Sequence, residues 1–266
     1  MADLKRRRRV FRRRRKQKTP LASMTVVEHL GELRSRLVFS AVAFTVISIG
    51  VFIAYPWIID LFTRPLCDAG FRLLGGDCEL AFTKVTGAFE FRLKLTALVG
   101  IALSSPVWLY QLWAFIVPAL TAKEKRYAVP FIAISIFLFL VGITVAYLVM
   151  PIGMRFLLNI GGEQLTAIPD AQEYLNFIGF MLLGFGLMFE LPIVLFFLGI
   201  AEVVPIQTLR RQRRVAIVII AALAAIITPS QDPYTMIILA VPLYGFYEAT
   251  ILVLHIVLKR RNRSVR

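Results

Sequence analysis

The amino-acid sequence predicts an all-α polytopic membrane protein of six transmembrane helices, with both termini in the cytoplasm and the last two helices short. Three observations predict it. The chain of 266 residues is 58% hydrophobic with a mean hydropathy of +0.74, more apolar than a soluble domain of this size can hide. The apolar residues gather into runs, several of them near the ~20 residues that a bilayer core of ~30 Å requires. The basic residues lie between those runs and at the chain ends. That placement makes the net charge of +15 an argument for membrane topology and against a nucleic-acid partner.

Residues 1–23 form a basic arm. Arg6 to Arg9 and Arg12 to Arg15 repel one another and bury nothing, so the arm is expected to be disordered and to lie on anionic lipid. The first 18 residues have no apolar run directly behind them, so no cleavable signal peptide is expected. Residues 24–258 form the membrane domain and 259–266 a basic tail. The domain opens on an amphipathic helix over 25–36. Thr25 with Glu28 is a capping box, Val26, Leu30, Leu33 and Leu37 share one face, and Glu32 with Arg36 is an i, i+4 pair.

Six apolar segments follow, near 37–59, 95–117, 128–150, 174–200, 215–228 and 235–258. The fifth is short for a full span, which implies local bilayer thinning or tilt of its neighbours. Pro229 and Pro233 frame a tight turn into the sixth. Segments 1–36, 118–128, 203–214 and 258–266 carry 13, 3, 4 and 5 of the 31 Lys and Arg residues. The alternate loops carry only Arg64, Arg72, Lys84, Arg92, Lys94 and Arg155. The positive-inside rule places the first set in the cytoplasm. The outer loop holds Cys67 and Cys78 on the oxidising side, where a disulfide is expected, the alternative being two free thiols.

An ionisable residue inside an apolar span is expensive and is a functional candidate by default. Glu190 is the clearest, near the middle of the fourth segment with no cation in its helix. Pro192 cannot donate to the carbonyl of Met188, so the helix should bend beside the carboxyl group. Either Glu190 docks a partner or attracts water, or it packs against a neighbour's hydroxyl. Glu248 is read as a second buried acid on the last segment. At the cytoplasmic edge, Glu32 and Glu124 could grip guanidinium groups through bidentate hydrogen bonds. Glu32 could equally pair with Arg36, and Glu124 could close a capping box with Thr121. No CxxC, HExxH, nucleotide-binding or G-x-S-x-G motif occurs, so no metal, cofactor or enzymatic activity is expected. No internal repeat points to a secondary transporter.

Four stretches carry a family resemblance. Glu28 to Leu37 (EHLGELRSRL) resembles the N-terminal motif of the TatC family. Ser104 to Leu120 with Lys123 to Arg126 is similar to that family's second helix and first cytoplasmic loop. Phe185-Gly186 with Phe189 to Pro192 resembles its fourth helix, and Thr228-Pro229, Asp232-Pro233, Pro242 and Glu248 its end. The resemblance implies a receptor for folded proteins whose signal peptides carry two adjacent arginines. It implies that Glu32 and Glu124 bind those arginines with support from Arg34, and that Glu190 is an intramembrane acid needed for transport. Glu248, Asp232 and Pro65 are secondary candidates. The implied partners are TatA- and TatB-type single-span proteins and further copies of the chain, in the inner membrane, with the proton-motive force driving transport. The basic arm and an enlarged outer loop from Pro65 to Lys84 depart from the shortest family members.

The charge pattern makes a topology prediction. Reporter fusions after Lys123 and Arg211 will report cytoplasm, and fusions after Asp77 and Gln164 will report the outside. An outside signal at Arg211 would break the six-helix reading.

Overall fold

A bilayer supplies no partner for backbone N–H and C=O groups, so a chain this apolar must satisfy them within helices. The computed structural model describes residues 26–70, 80–116, 128–160, 170–228 and 233–263. Among the described residues every regular element is a helix, apart from one isolated bridge between Ala81 and Asp170. The elements are α1 (Val26–Ile53), α2 (Tyr55–Asp68), α3 (Gly87–Leu103), α4 (Ser105–Ile116), α5 (Ala128–Asn159), α6 (Ala171–Met188), α7 (Leu191–Ile200), α8 (Ile206–Arg211), α9 (Arg213–Ile227) and α10 (Pro233–Arg263).

These helices correct several expectations. The amphipathic helix and the first span are one rod, α1, on which only Val51 is buried among the residues described in full. The span expected to end at 59 breaks at Ala54, and the chain turns into α2 with Pro56 in its first turn. Pro65 and Cys67, expected in a loop, therefore sit inside α2. The second span is a broken helix: α3 and α4 meet at 54° about Ser104, followed two residues later by Pro106. The fourth span is α6 and α7, broken at Phe189 and Glu190 beside Pro192. Of the last two helices only α9 is short. Its 15 residues rise about 22 Å against a ~30 Å hydrocarbon core. In contrast, α10 runs for 31 residues.

By length and composition four spans suffice to cross a membrane: α1, α5, α6 with α7, and α10. The bent pair α3 and α4 makes a fifth. The chain is thus a multi-pass membrane protein.

Prolines explain how the bends are held. A proline has no N–H, so the carbonyl four residues earlier loses its helical donor. Side chains from other helices replace it. Pro56 frees the carbonyl of Phe52, which accepts from the Arg92 guanidinium on α3 at 3.0 Å. The same guanidinium stacks 4.0 Å from the Phe52 ring centroid and 4.8 Å from that of Tyr55. Pro65 frees the carbonyl of Leu61, which accepts from Tyr147 on α5 at 2.8 Å. The next carbonyl, Phe62, accepts from Tyr174 on α6 at 2.7 Å. The break before Pro56 and the Pro65 position inside α2 are therefore also ties between helices.

Elsewhere the helices meet through small residues, the usual device where lipid gives no hydrophobic drive between them. A Cβ on Gly142 of α5 would stand 2.7 Å from the backbone oxygen of Phe185 on α6. One on Gly186 of α6 would stand 2.8 Å from the Phe139 ring of α5. Only glycine permits that approach. At the N-terminus of α6, Asp170 caps the helix by accepting from the Gln172 N–H at 2.8 Å and from the Thr83 hydroxyl at 2.7 Å. The Thr83 hydroxyl, then the Gln172 N–H, holds its carboxyl below the usual carboxylate range, so the cap is charged at neutral pH.

Candidate functional site

Three broken or mid-span positions converge inside the bundle. Glu190 stands in the break between α6 and α7 and is 7% exposed. Its Oε2 accepts from the Ser135 hydroxyl of α5 at 2.6 Å. Ser135 Oγ in turn accepts from the Trp113 indole N–H of α4 at 2.7 Å. A hydroxyl can donate one bond while accepting another, so Ser135 relays polarity from the indole to the carboxyl. Around this chain Trp113, Ile132, Ile193 and Phe197 form a separate apolar cluster, with Trp113 stacked 4.6 Å from Phe197. Glu190 Oε1 is buried with no hydrogen-bond partner among the described residues. One half of the carboxyl is thus fixed and the other half is unsatisfied, which in an apolar interior is costly. The geometry realises the packing alternative for Oε2 and leaves Oε1 buried and unsatisfied.

A second cluster lies where α1 meets α4. Glu32 Oε1 accepts from Arg36 Nε at 3.1 Å and from Arg36 Nη2 at 2.6 Å. The remaining Arg36 nitrogen, Nη1, donates to Gln111 Oε1 on α4 at 3.1 Å. One turn nearer the N-terminus, His29 stacks on Phe115 of α4 with centroids 4.3 Å apart. The Glu32–Arg36 pair is therefore formed, as the spacing allowed. Glu32 Oε2 is nonetheless buried and without a hydrogen-bond partner among the described residues. Arg34 is exposed on the same helix.

Glu248 is not the buried acid expected from its segment. Its carboxyl pairs with Arg213 of α9 at 2.8 Å and accepts from Tyr244 at 3.1 Å, with its side chain 33% exposed. The cation comes from the start of α9, which the short fifth segment brings alongside α10. Cys67 is disulfide-bonded. Glu124, Asp232 and Cys78 lie outside the described residues.

Sequence reasoning missed Ser135, Trp113 and Gln111. A serine or tryptophan in an apolar run carries no periodic signal, and only the tertiary contact identifies its partner. Among the described residues no group of His, Cys, Asp and Glu is arranged to hold a metal ion.

Fold and site define a polytopic, all-helical membrane protein with a fixed acid in its interior and a charged seam at one end. Residues 28–242 match the family described as Sec-independent protein translocase protein (TatC), and the chain belongs to that family. It is a component of a protein translocase, a transport role and not an enzymatic one. The Sec-independent protein translocase protein TatC of Desulforapulum autotrophicum is 40% identical over 243 residues, 90% of this chain and 85% of that relative. The TatC protein of Frankia casuarinae is 40% identical over 237 residues, 86% of this chain, and this chain spans 65% of that relative's length. A crystal structure of the twin arginine translocase receptor TatC superposes with a TM-score of 0.70 at 35% identity, over 85% of this chain and 99% of that one.

The relay from Trp113 generates a prediction. Trp113→Phe keeps the ring in its cluster and removes only the indole donor. It will lower stability by about 0.6–2 kcal/mol, the range for one hydrogen bond between membrane helices. Thermal unfolding in a fixed detergent measures this, and unchanged stability would mean that the indole N–H contributes nothing.

Proposed function

We propose that this chain is the signal-peptide receptor and core subunit of a twin-arginine translocase in the cytoplasmic (inner) membrane, with six spans and both termini inside. The reading has α9 as the short fifth crossing and α10 as the sixth. It rests above all on Glu32. Its carboxyl stands at the seam of α1 and α4, one oxygen held by Arg36 and the other buried without a hydrogen-bond partner among the described residues. A guanidinium brings donors in a planar fork that such an oxygen can accept from. Glu124 contributes the second carboxylate and Arg34 orients the site. The crystal structures of a similar chain are of a twin arginine translocase receptor, which supports the same reading.

Signal binding at the edge and transport through the interior are separate tasks, about half a bilayer or ~15 Å apart. Glu190 serves the second: its buried, unsatisfied Oε1 is the acceptor that a polar group on the single helix of a TatA- or TatB-type partner satisfies once it enters the bundle. Other copies of the chain complete the complex, and the proton-motive force drives the cargo. The basic arm of residues 1–23 rests on anionic lipid, and Cys67 pairs with Cys78. Asp232, Pro65 and Glu248 are secondary positions. Of these, Pro65 acts by releasing the Leu61 carbonyl to Tyr147, and Glu248 by tying α10 to α9.

The test is direct binding of a twin-arginine peptide to the purified protein, with a twin-lysine peptide as control. Glu32→Ala and Glu124→Ala will each weaken binding by about 10- to 100-fold, the equivalent of ~1.5–3 kcal/mol for hydrogen bonds between charged groups. Glu190→Ala will bind normally and export a twin-arginine reporter poorly. Wild-type binding by both edge variants would remove the receptor assignment.

A further inference from the structure

Where α7, α8, α9 and α10 meet, the bundle holds an apolar cavity of about 240 Å³. Leu191 and Pro192, directly after Glu190, line its depth, with Leu223 and Leu243. Val215 and Ile219 line its mouth and are 51% and 52% exposed, so the opening faces the lipid side of α9. A cavity of ~150 Å³ with apolar walls stays dry and takes a benzene ring. One of this size takes a stretch of alkyl chain and is poorly suited to water.

The rim has the opposite character. Leu209 and Gln212 also line the cavity, and Arg210, Arg211 and Arg214 flank them in sequence, all exposed. Arg213 is engaged by Glu248. Among the described residues no carboxylate forms a salt bridge with the other three. An apolar slot under a cluster of uncompensated guanidiniums matches one kind of membrane molecule.

We infer that this cavity is a binding site for an anionic phospholipid, with one acyl chain between α7, α9 and α10 and the phosphate on Arg210, Arg211 and Arg214. The matching charges choose an anionic headgroup over a zwitterionic one, because arginine binds phosphate bidentately and each cation adds attraction to an anionic lipid. The occupied slot supports the segment that follows Glu190 and covers the exposed side of the short α9. This is a defined site, distinct from the basic arm.

The test uses the full-length protein, delipidated in detergent and titrated with dioleoylphosphatidylglycerol or dioleoylphosphatidylcholine, with bound lipid counted by native mass spectrometry. Phosphatidylglycerol will bind about tenfold more tightly. The triple variant Arg210→Gln, Arg211→Gln, Arg214→Gln will remove that preference and leave phosphatidylcholine unchanged. Ala216→Leu, which fills the cavity, will weaken both lipids, and Leu223→Phe gives the same test if the first does not fold. Equal affinity for the two lipids in the unaltered protein overturns the inference. Full retention of phosphatidylglycerol by the cavity-filling variants also overturns it, because the attraction would then be that of a basic surface without a slot.

Discussion

The hydrogen bond from Ser135 to Glu190 is the interaction on which the interior of this protein depends. A carboxyl group in a bilayer has no water to satisfy it, and its neighbours must supply what solvent would. Here the supply crosses three elements: the indole of α4, the hydroxyl of α5 and the acid at the break before α7. Those donors reach the acid only because Pro192 interrupts the helix beside it and because α5 and α6 approach through Gly142 and Gly186. Sequence features that look independent, two glycines, a proline, a serine and a glutamate, are one arrangement.

The short helix α4 links that interior to the edge. Trp113 faces Ser135, while Gln111 and Phe115 of the same helix hold Arg36 and His29 of α1. The break at Ser104 makes this possible. A straight second span would carry these three side chains along the axis of α3, whereas the 54° bend turns them across both α1 and α5. The carbonyls that Pro56 and Pro65 free at the other end are met in the same way, by Arg92 and Tyr147, and Tyr174 binds the neighbouring carbonyl of Phe62. The fold is a set of interrupted helices whose interruptions are its joints.

Much of this was legible in the sequence. The apolar runs marked the four long spans and the bent pair α3 and α4 because a bilayer imposes a length, and Glu190 stood out because a carboxylate in such a run has to be explained. The i, i+4 spacing of Glu32 and Arg36 gave their ion pair. The remainder required distance information that periodicity does not hold. Ser135 and Trp113 look like ordinary span residues until packing sets them together. Glu248 was misread as buried because its partner, Arg213, lies 35 residues away on another helix. The apolar pattern alone does not distinguish α2 from the end of a span and a loop, since the burial of Phe62 and Leu66 depends on α5 and α6 being there to receive them.

Glu190 is held by Ser135 and not merely near it. A double-mutant cycle with Ser135→Ala, Glu190→Leu and the combined variant, read by thermal unfolding in bicelles, decides this, because leucine leaves no acceptor for the Ser135 hydroxyl. The two changes will be coupled, the double variant being less destabilised than the sum of the single ones by about 0.6–2 kcal/mol. Additivity within ~0.5 kcal/mol would show that the two groups do not interact in the folded protein and would contradict the account.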